Sequence, residues 1–164
     1  MGCGKTALAR ALASRLRCEM VDLDEAITQR KKRSPARIFD EDGEAAFRII
    51  ETMVLRDVLT EQSGLFVIAL GGGAWISAAN RALINQHSGF TVWLDAPFET
   101  CWERISLSED KRPLGKSKQQ AQELYESRRP IYQLANSVVA AGAGISLDDL
   151  ARQVESGVSH LGLT

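Results

Sequence analysis

A glycine, a lysine and a threonine follow one another near the start of the chain, and a helix-like stretch comes directly after them at 7–16. This triplet, Gly4-Lys5-Thr6, is the second half of the pattern G-x-x-x-x-G-K-[ST], which leads from a strand through a phosphate-binding turn into a helix. Backbone amides of such a turn and the positive end of the helix dipole hold phosphate oxygens. The triplet therefore predicts a helix that begins at a phosphate site, and binding of a nucleoside triphosphate.

The first half of this pattern is not in the sequence. Counting back from Gly4, the first glycine would fall two residues ahead of Met1, and the strand that the pattern follows would lie further ahead still. We therefore expect a sheet without its first, central strand, and a chain from Met1 that is unstable and nearly inactive. An ordinary glycine-rich helix start with a chance lysine is the alternative interpretation of the triplet.

Length and composition are those of one ordinary globular domain, which we expect to span residues 1–164. The net charge of −1 provides no overall positive field to attract nucleic acid or an anionic membrane. No apolar run approaches the roughly 20 residues of a transmembrane helix. Cys3, Cys18 and Cys101 are too few and too scattered for a disulfide framework, which favours a reducing cytoplasm.

Helices and short apolar strands alternate along the chain, which predicts a three-layer α/β/α fold with a parallel sheet. The expected strands are 19–22, 65–70, 90–94 and 137–140, and the expected helices are 7–16, 24–29, one from 34, 44–59, 99–105, 119–133 and one from 146. Ligands of such sheets bind at the carboxyl ends of the strands. Asp22, Asp24 and the glycines 71–73 stand at those ends.

Two acids, Asp22 and Asp24, follow the first expected strand with one residue between them. One carboxylate could hold Mg²⁺, and the other could accept the proton of a substrate hydroxyl. A polar strand end with a helix cap is the alternative, and it would be favoured if the pair stood alone. Beside Gly4-Lys5-Thr6 the functional interpretation is favoured.

Arginines at two places could bind the acid group of a substrate. Arg48 stands on an expected helix beside Phe47, with Glu51 one turn away to orient it, and a guanidinium can bind a carboxylate through two hydrogen bonds. Arg128 stands near the end of a later helix. The alternative for Arg48 is a surface ion pair with Glu51.

Two further segments could contact a bound ligand. The glycines 71–73 lack Cβ atoms, so their backbone can approach a ligand closely and offer amide donors. The polar stretch 106–120 carries Arg112 and could close as a lid that excludes water and stabilises transferring charge. The alternatives are a flexible turn and a plain surface loop.

In this order and spacing the motifs resemble those of the shikimate kinase family, from residue 1 to about 140. The matching features are the loop lysine, the D-x-D pair, the I-F…G-E…F-R…E block with its helical segment at about 24–60, G-G-G, R-P-L and R-x-P-x-Y. The resemblance implies ATP-dependent phosphorylation of the 3-hydroxyl of shikimate, with ATP as co-substrate and Mg²⁺ as cofactor. It also implies a fold like that of nucleoside monophosphate kinases, and a cytoplasmic monomer.

The resemblance implies a role for each matching residue. Asp24 would hold the reacting hydroxyl and act in catalysis with Lys5 and the lid residue Arg112. The residues implied to bind ATP are Gly2, Cys3, Gly4, Lys5, Thr6, Ala7, Arg104 and Arg112. Thr6 and Asp22 would bind magnesium. The residues implied to bind shikimate are Asp24, Arg48, Gly71, Gly72, Gly73 and Arg128, with Phe39, Phe47 and Glu51 as further candidates.

Two other functions are kept open beside this one. A kinase of nucleoside monophosphates or of another small polyol would use the same phosphate turn and lid, although it would leave the paired arginines without a role. A nucleotide-binding module without catalysis would be consistent with the incomplete phosphate pattern. The stretch 140–144 also lacks the polar residues that the family has there, which leaves the adenine contacts undefined.

Overall fold

The computed structural model describes residues 2–107, 117–142 and 144–159 of the chain. The helices are α1 (Lys5–Leu16), α2 (Leu23–Lys31), α3 (Pro35–Glu61), α4 (Ala78–Gln86), α5 (Phe98–Ser106), α6 (Lys118–Tyr132) and α7 (Leu147–Ser159), with a 3₁₀ turn at Ala74–Ile76. The strands are β1 (Glu19–Asp22), β2 (Phe66–Ala69), β3 (Val92–Asp95) and β4 (Ser137–Ala140). The alternation of helices and strands predicted from the sequence is confirmed.

Helix α3 contains a break at Gly43, where the sequence predicts an interruption. The backbone there has φ 84° and ψ 170°, so two helical segments meet at a bend. Only glycine adopts such a conformation without strain. The bend separates the segment that carries Ile38 from the segment that carries Arg48 and Glu51, and both segments pack on the same core.

The strands form two parallel pairs. β1 pairs with β2, with Asp22 opposite Ala69, and β3 pairs with β4, with Asp95 opposite Ala140. Within the described residues no strand lies between β2 and β3, so the sheet is open at its centre. The parallel pairing predicted from the sequence is confirmed.

Each strand pair lies against its own hydrophobic core. The first core packs α2, α3 and α4 beside β1 and β2, and its fully buried residues include Leu23, Ile38 and Leu55. The second packs α1 and α7 beside β3 and β4, with Leu94 and Ala151 at its centre. The two cores are joined through α1, which also contacts β1 and β2, and through Val67 of β2, which packs against the second core.

In the described ranges no helix combines the length and the apolar character needed to span a membrane. Most of the predicted lid at 106–120 lies outside the described residues, and so does Arg112. Its far end is described: Ser117 caps α6 by accepting a hydrogen bond from the amide of Gln120 at 3.2 Å.

Candidate active site

The predicted phosphate turn, which we define as residues 2–6, leads into the start of α1. Gly4 precedes the helix with φ 94°, and its carbonyl accepts the first helical hydrogen bond from Leu8 at 3.0 Å. No side chain caps this end of the helix. The amides of the first turn are therefore available to an anion, as the dipole of the helix favours. The exposed Ala7 lies in the same turn.

The phosphate turn packs closely on α5. Gly2 has φ 67°, and a Cβ at this position would lie 2.5 Å from the carbonyl oxygen of Cys101. Arg104, one turn further along α5, donates a hydrogen bond to the carbonyl of Gly2 at 3.3 Å. Its guanidinium also lies beside Gly4. Arg104 therefore contributes positive charge at the phosphate turn itself; its predicted binding of ATP stays a prediction.

Lys5 has little else to bind within the described part of the chain. Its Nζ lies 3.9 Å from Sγ of Cys3, a weak acceptor, and it makes no ion pair there. The second lysine near the site, Lys118, is already bound to Glu99 at 2.7 Å. A lysine amine that is partly buried at a helix start without a carboxylate partner is suited to bind an anionic ligand.

Thr6 and Asp22 meet at the base of the phosphate turn, as predicted. The Thr6 hydroxyl donates to Oδ2 of Asp22 at 2.7 Å, while Oδ1 accepts from the amide of Asp24 at 3.0 Å and so caps α2. Among the described residues no group of three or more His, Cys, Asp or Glu could hold a metal unaided. Mg²⁺ commonly takes one or two protein oxygens and completes its shell with phosphate oxygens and water, so this pair fits it.

Asp24 and Glu51 converge on the glycine turn after β2. A Cβ added at Gly71 would lie 3.1 Å from Oδ1 of Asp24 and 3.3 Å from Oε1 of Glu51. The two carboxyl groups therefore flank a backbone that has no room for a larger side chain. Asp24 is the second residue of α2 and lies two residues after its N-cap Asp22, which places the acid predicted to hold the hydroxyl close to the acid predicted to hold magnesium.

Arg48 and Glu51 form the most buried ion pair of the site. The side chain of Glu51 is 1% exposed, and Nη1 of Arg48 donates to its Oε2 at 2.8 Å. Burial raises the pKa of Glu51, and the charge and hydrogen bond of Arg48 offset only part of this rise. Burial acts to lower the pKa of Arg48, but its bonds to Glu51 and Glu44 outweigh that effect and leave the pKa raised. Arg48 is therefore a fixed cation.

The Arg48 guanidinium lies against the third glycine of the turn. A Cβ at Gly73 would overlap it, so glycine is required here for the arginine to occupy its place. The guanidinium also stacks on the ring of Phe47, 5.1 Å from its centre, and Phe47 packs on Phe39 with 5.8 Å between ring centres. These contacts hold the cation in one orientation and leave it 26% exposed.

Helix α6 brings Arg128 to the same place. Burial raises the pKa of Glu51 and that of Tyr132, and the positive charge of Arg128 offsets part of both rises. The hydroxyl of Tyr132 donates to the carbonyl of Gly72 at 2.5 Å, while the indole of Trp75 donates to the carbonyl of Ile131 at 3.1 Å. The glycine turn and α6 are therefore joined, with Arg128 close enough for its charge to act on Glu51; its predicted contact with the substrate stays a prediction.

The sequence did not indicate a second ion pair at the end of β3. Arg129 binds both carboxylate oxygens of Asp95, at 2.7 and 2.9 Å, and stacks on Trp93 at 4.9 Å. It also donates to the hydroxyl of Tyr125 at 2.6 Å. The partners are 34 residues apart, so no helical or strand spacing links them; the adjacent arginines of the R-R-P motif are the only signal.

The predicted site residues that the structure describes therefore gather at one edge of the sheet. Magnesium and phosphate candidates surround the start of α1, and the substrate candidates surround the glycine turn. Asp24 lies on the substrate side and its neighbour Asp22 on the phosphate side. The arrangement can hold a polyphosphate beside a small anionic molecule with a hydroxyl near Asp24.

Comparison with known proteins agrees with this geometry. Residues 1–158 match the family model described as "Shikimate kinase". A shikimate kinase of Ruegeria pomeroyi is 37% identical over 157 residues, covering 94% of this chain and 78% of the relative. One from Aromatoleum aromaticum is 34% identical, covering 98% of this chain and 91% of the relative. The structure is also similar to that of shikimate kinase from Acinetobacter baumannii in complex with shikimate, with a TM-score of 0.88, 32% identity and coverage of 100% and 91% of the two chains.

Proposed function

This chain belongs to the shikimate kinase family, and we propose that it transfers the γ-phosphoryl group of ATP to the 3-hydroxyl of shikimate. The observation that carries the proposal is the convergence of Asp24, Arg48 and Glu51 on Gly71–Gly73, directly beside the bonded pair of Thr6 and Asp22. This edge of the pocket therefore holds a carboxylate that can accept the proton of a substrate hydroxyl, and cations that can bind a substrate carboxylate.

The donor half of the reaction uses the phosphate turn. The amides at the start of α1 and the amine of Lys5 bind the β- and γ-phosphates, and Arg104 adds charge beside Gly4. Magnesium, held by Thr6 and Asp22, neutralises phosphate charge when it is bound. Phosphoryl transfer depends mainly on positioning and on charge stabilisation, which these groups supply.

The acceptor half uses the glycine turn. Arg48 and Arg128 bind the carboxylate of shikimate, and the amides of 71–73 bind a ring hydroxyl. The 3-hydroxyl oxygen attacks the γ-phosphorus, the bond from that phosphorus to the bridging oxygen of ADP breaks, and the hydroxyl proton passes to the carboxylate of Asp24. Glu51 stays bound to Arg48 and holds it in place.

The proposal also includes Arg112 as a lid residue that stabilises the transferring charge, and a cytoplasmic monomer. The nearly equal numbers of acidic and basic residues, 21 and 20, give no reason to expect nucleic acid or a membrane as a partner.

A coupled assay of ADP release tests the proposed reaction. We expect turnover to require both shikimate and Mg²⁺. We also expect ³¹P NMR to detect a phosphate monoester as the product. Asp24→Asn should lower kcat by about 10²–10⁴-fold, the range for a lost general base, and leave the affinity for ATP nearly unchanged.

Asp57→Asn is the matched control, because Asp57 pairs with Arg30 at a half-exposed site away from the phosphate turn. It should keep full activity. Faster turnover of a nucleoside monophosphate than of shikimate would favour the related kinases instead. Binding of ATP without transfer to any hydroxylated acid would favour a nucleotide-binding module.

A further inference from the structure

Arg129, the residue after Arg128 on α6, takes no part in the proposed reaction but is held in place by several contacts. Its guanidinium binds both carboxylate oxygens of Asp95, at 2.7 and 2.9 Å, and lies over the ring of Trp93, 4.9 Å from its centre. A planar guanidinium that makes two parallel bonds to a carboxylate has one defined orientation. The end of β3 therefore fixes where this residue of α6 lies.

Tyr125 attaches the same face of α6 to the same strand end. It precedes Arg129 by four residues, so the two side chains lie on one face of the helix. Its hydroxyl accepts a hydrogen bond from Arg129 at 2.6 Å and donates one at 3.0 Å to the carbonyl of Ala96, directly after β3. The ring also packs edge-on against Phe98, with 5.5 Å between ring centres. Two attachments on one face hold α6 against rotation about its own axis.

This rotation matters because it sets the direction of Arg128. Successive residues of an α-helix are turned by about 100°, so the contacts that hold Arg129 on β3 direct its neighbour elsewhere. The positive charge of Arg128 offsets part of the rise in the pKa of Glu51, a carboxyl that lies beside Gly71 in the glycine turn. Helix α6 therefore presents Arg129 to the end of β3 and Arg128 to the region around the glycine turn.

The turn of α6 that carries both arginines is weakened by Pro130. Proline has no amide hydrogen, so the carbonyl of Glu126 lacks the helical hydrogen bond that another residue at position 130 would donate. The proline ring also crowds that carbonyl, which favours a bend in the helix. Contacts outside the helix must then fix its course, and the bonds of Arg129 supply such contacts at this turn.

We propose that Arg129 is a positioning residue for the carboxylate of shikimate. Bound to Asp95, it holds this turn of α6 in the rotation at which Arg128 reaches the carboxylate, and it does not touch the substrate itself. The ion pair thereby sets how strongly the site prefers an acid to a neutral analogue of the same shape. The inference rests on the proposed function, because it requires that Arg128 binds the carboxylate.

Arg129→Met tests this role, with Arg15→Met as the matched control. Arg15 is also held by two carboxylates, those of Asp148 and Glu155, and it lies at the far end of α1 from the phosphate turn. The two arginines are equally enclosed, since the side chain of Arg15 is 31% exposed and that of Arg129 is 34% exposed.

Calorimetry gives the affinities of these variants. Arg129→Met should raise the Kd of shikimate about tenfold, the lower end of what one hydrogen bond to a charged group is worth. The Kd of ATP with Mg²⁺ should change by less than about twofold. Arg15→Met should change neither Kd, even when the two variants lower the melting temperature by the same amount.

A double variant shows whether Arg129 acts through Arg128. Arg128→Met removes the group that is positioned, so adding Arg129→Met to it should raise the Kd of shikimate by no more than about twofold. The methyl ester of shikimate keeps the ring hydroxyls and lacks the charge. Its affinity should be the same for Arg129→Met and for the wild-type protein, whereas a general loss of structure would weaken the acid and the ester alike.

Arg129→Lys is a second variant, which keeps the positive charge but cannot make the two parallel bonds. Because it leaves Asp95 with a cation, it should fold even if Arg129→Met does not. We expect its Kd for shikimate to lie above that of the wild-type protein and below that of Arg129→Met.

Three results would overturn the inference: an unchanged Kd of shikimate in both variants of Arg129, an equal loss of affinity in Arg15→Met, or single effects that multiply in the double variant. An equal loss of affinity for the methyl ester would also overturn it. Failure of the proposed function is seen separately, because Arg128→Met would then bind shikimate as tightly as the wild-type protein does.

Discussion

The acceptor side of the site, around the glycine turn, and the phosphate side, around the start of α1, differ in how many of their polar groups are already bonded to protein partners. On the acceptor side, Arg48 is bound to Glu51 and Glu44 and stacked on Phe47. On the phosphate side, Nζ of Lys5 bonds only weakly to the thiol of Cys3, at 3.9 Å, and makes no ion pair within the described residues, while α1 begins without a side-chain cap. The first side is preorganised by its own ion pairs, while the second presents donors for a ligand to satisfy.

Because of this difference, we expect substitutions in the two regions to affect stability and activity differently. Replacing a residue whose partners are ligand atoms should cost activity and leave the fold intact. Replacing a residue whose partners are protein atoms should cost both. The predictions below test this distinction, beginning with the largest effect on the reaction.

Lys5→Met should lower kcat/KM by at least about 10²–10³-fold, by analogy with the loss of one electrostatic donor to a transition state. Because Lys5 makes no ion pair within the described residues, the melting temperature without ligand should change little. Steady-state kinetics and thermal melting measure the two effects. Lys118→Met, which breaks only the exposed pair with Glu99, is the control; it should change neither greatly. A large fall in the melting temperature of Lys5→Met would contradict the comparison.

Arg48→Met should weaken shikimate binding and also destabilise the protein. The change leaves Glu51 without its cation in a buried position, and breaking a buried pair costs about 3–5 kcal/mol when both partners are fully enclosed. Arg48 is 26% exposed, so the loss in unfolding free energy should fall below that range. Chemical denaturation gives the stability, and calorimetry gives the affinity for shikimate.

A second change separates the two effects of Arg48→Met. The double variant Arg48→Met with Glu51→Gln removes the uncompensated carboxyl and should recover much of the lost stability, but shikimate binding should stay weak. If the second change restored binding as well, Arg48 would not be the group that holds the carboxylate.

The smallest effect concerns pH. Burial raises the pKa of Glu51 above its ordinary value of 4.5, so the folded protein holds this proton more tightly than the unfolded chain. The stability from this group is fully present below that value and is lost as pH rises through the pKa of the folded state. Relative to Glu51→Gln, the wild-type protein should therefore lose unfolding free energy as pH rises from about 4.5. A difference that stays constant with pH would contradict the assignment.

Sequence patterns predicted those parts of the site that local geometry determines. Thr6 and Asp22 meet because a strand end and a helix start share one edge of a parallel sheet. Arg48 and Glu51 meet because they are three residues apart on a helix. The pair of Asp95 and Arg129 could not be predicted in this way, because it depends on how α6 docks against β3.

The contact of Arg104 with the phosphate turn could not be predicted from the sequence. The resemblance implies that Arg104 binds ATP, and in this structure its guanidinium donates to the carbonyl of Gly2. That contact depends on the angle between α5 and the phosphate turn, which no sequence spacing specifies. Arg112 lies outside the described residues, so its role stays a prediction.

The docking of α6 has a consequence for how the chain folds. This helix bonds to the end of β2 through Tyr132 and Gly72, 60 residues apart, and to the end of β3 through Arg129 and Asp95, 34 residues apart. The Arg48–Glu51 pair needs only one turn of helix, which forms far faster than loops of that length close around a specific contact. We therefore expect the two substrates' binding regions to come into register later in folding than the Arg48–Glu51 pair forms.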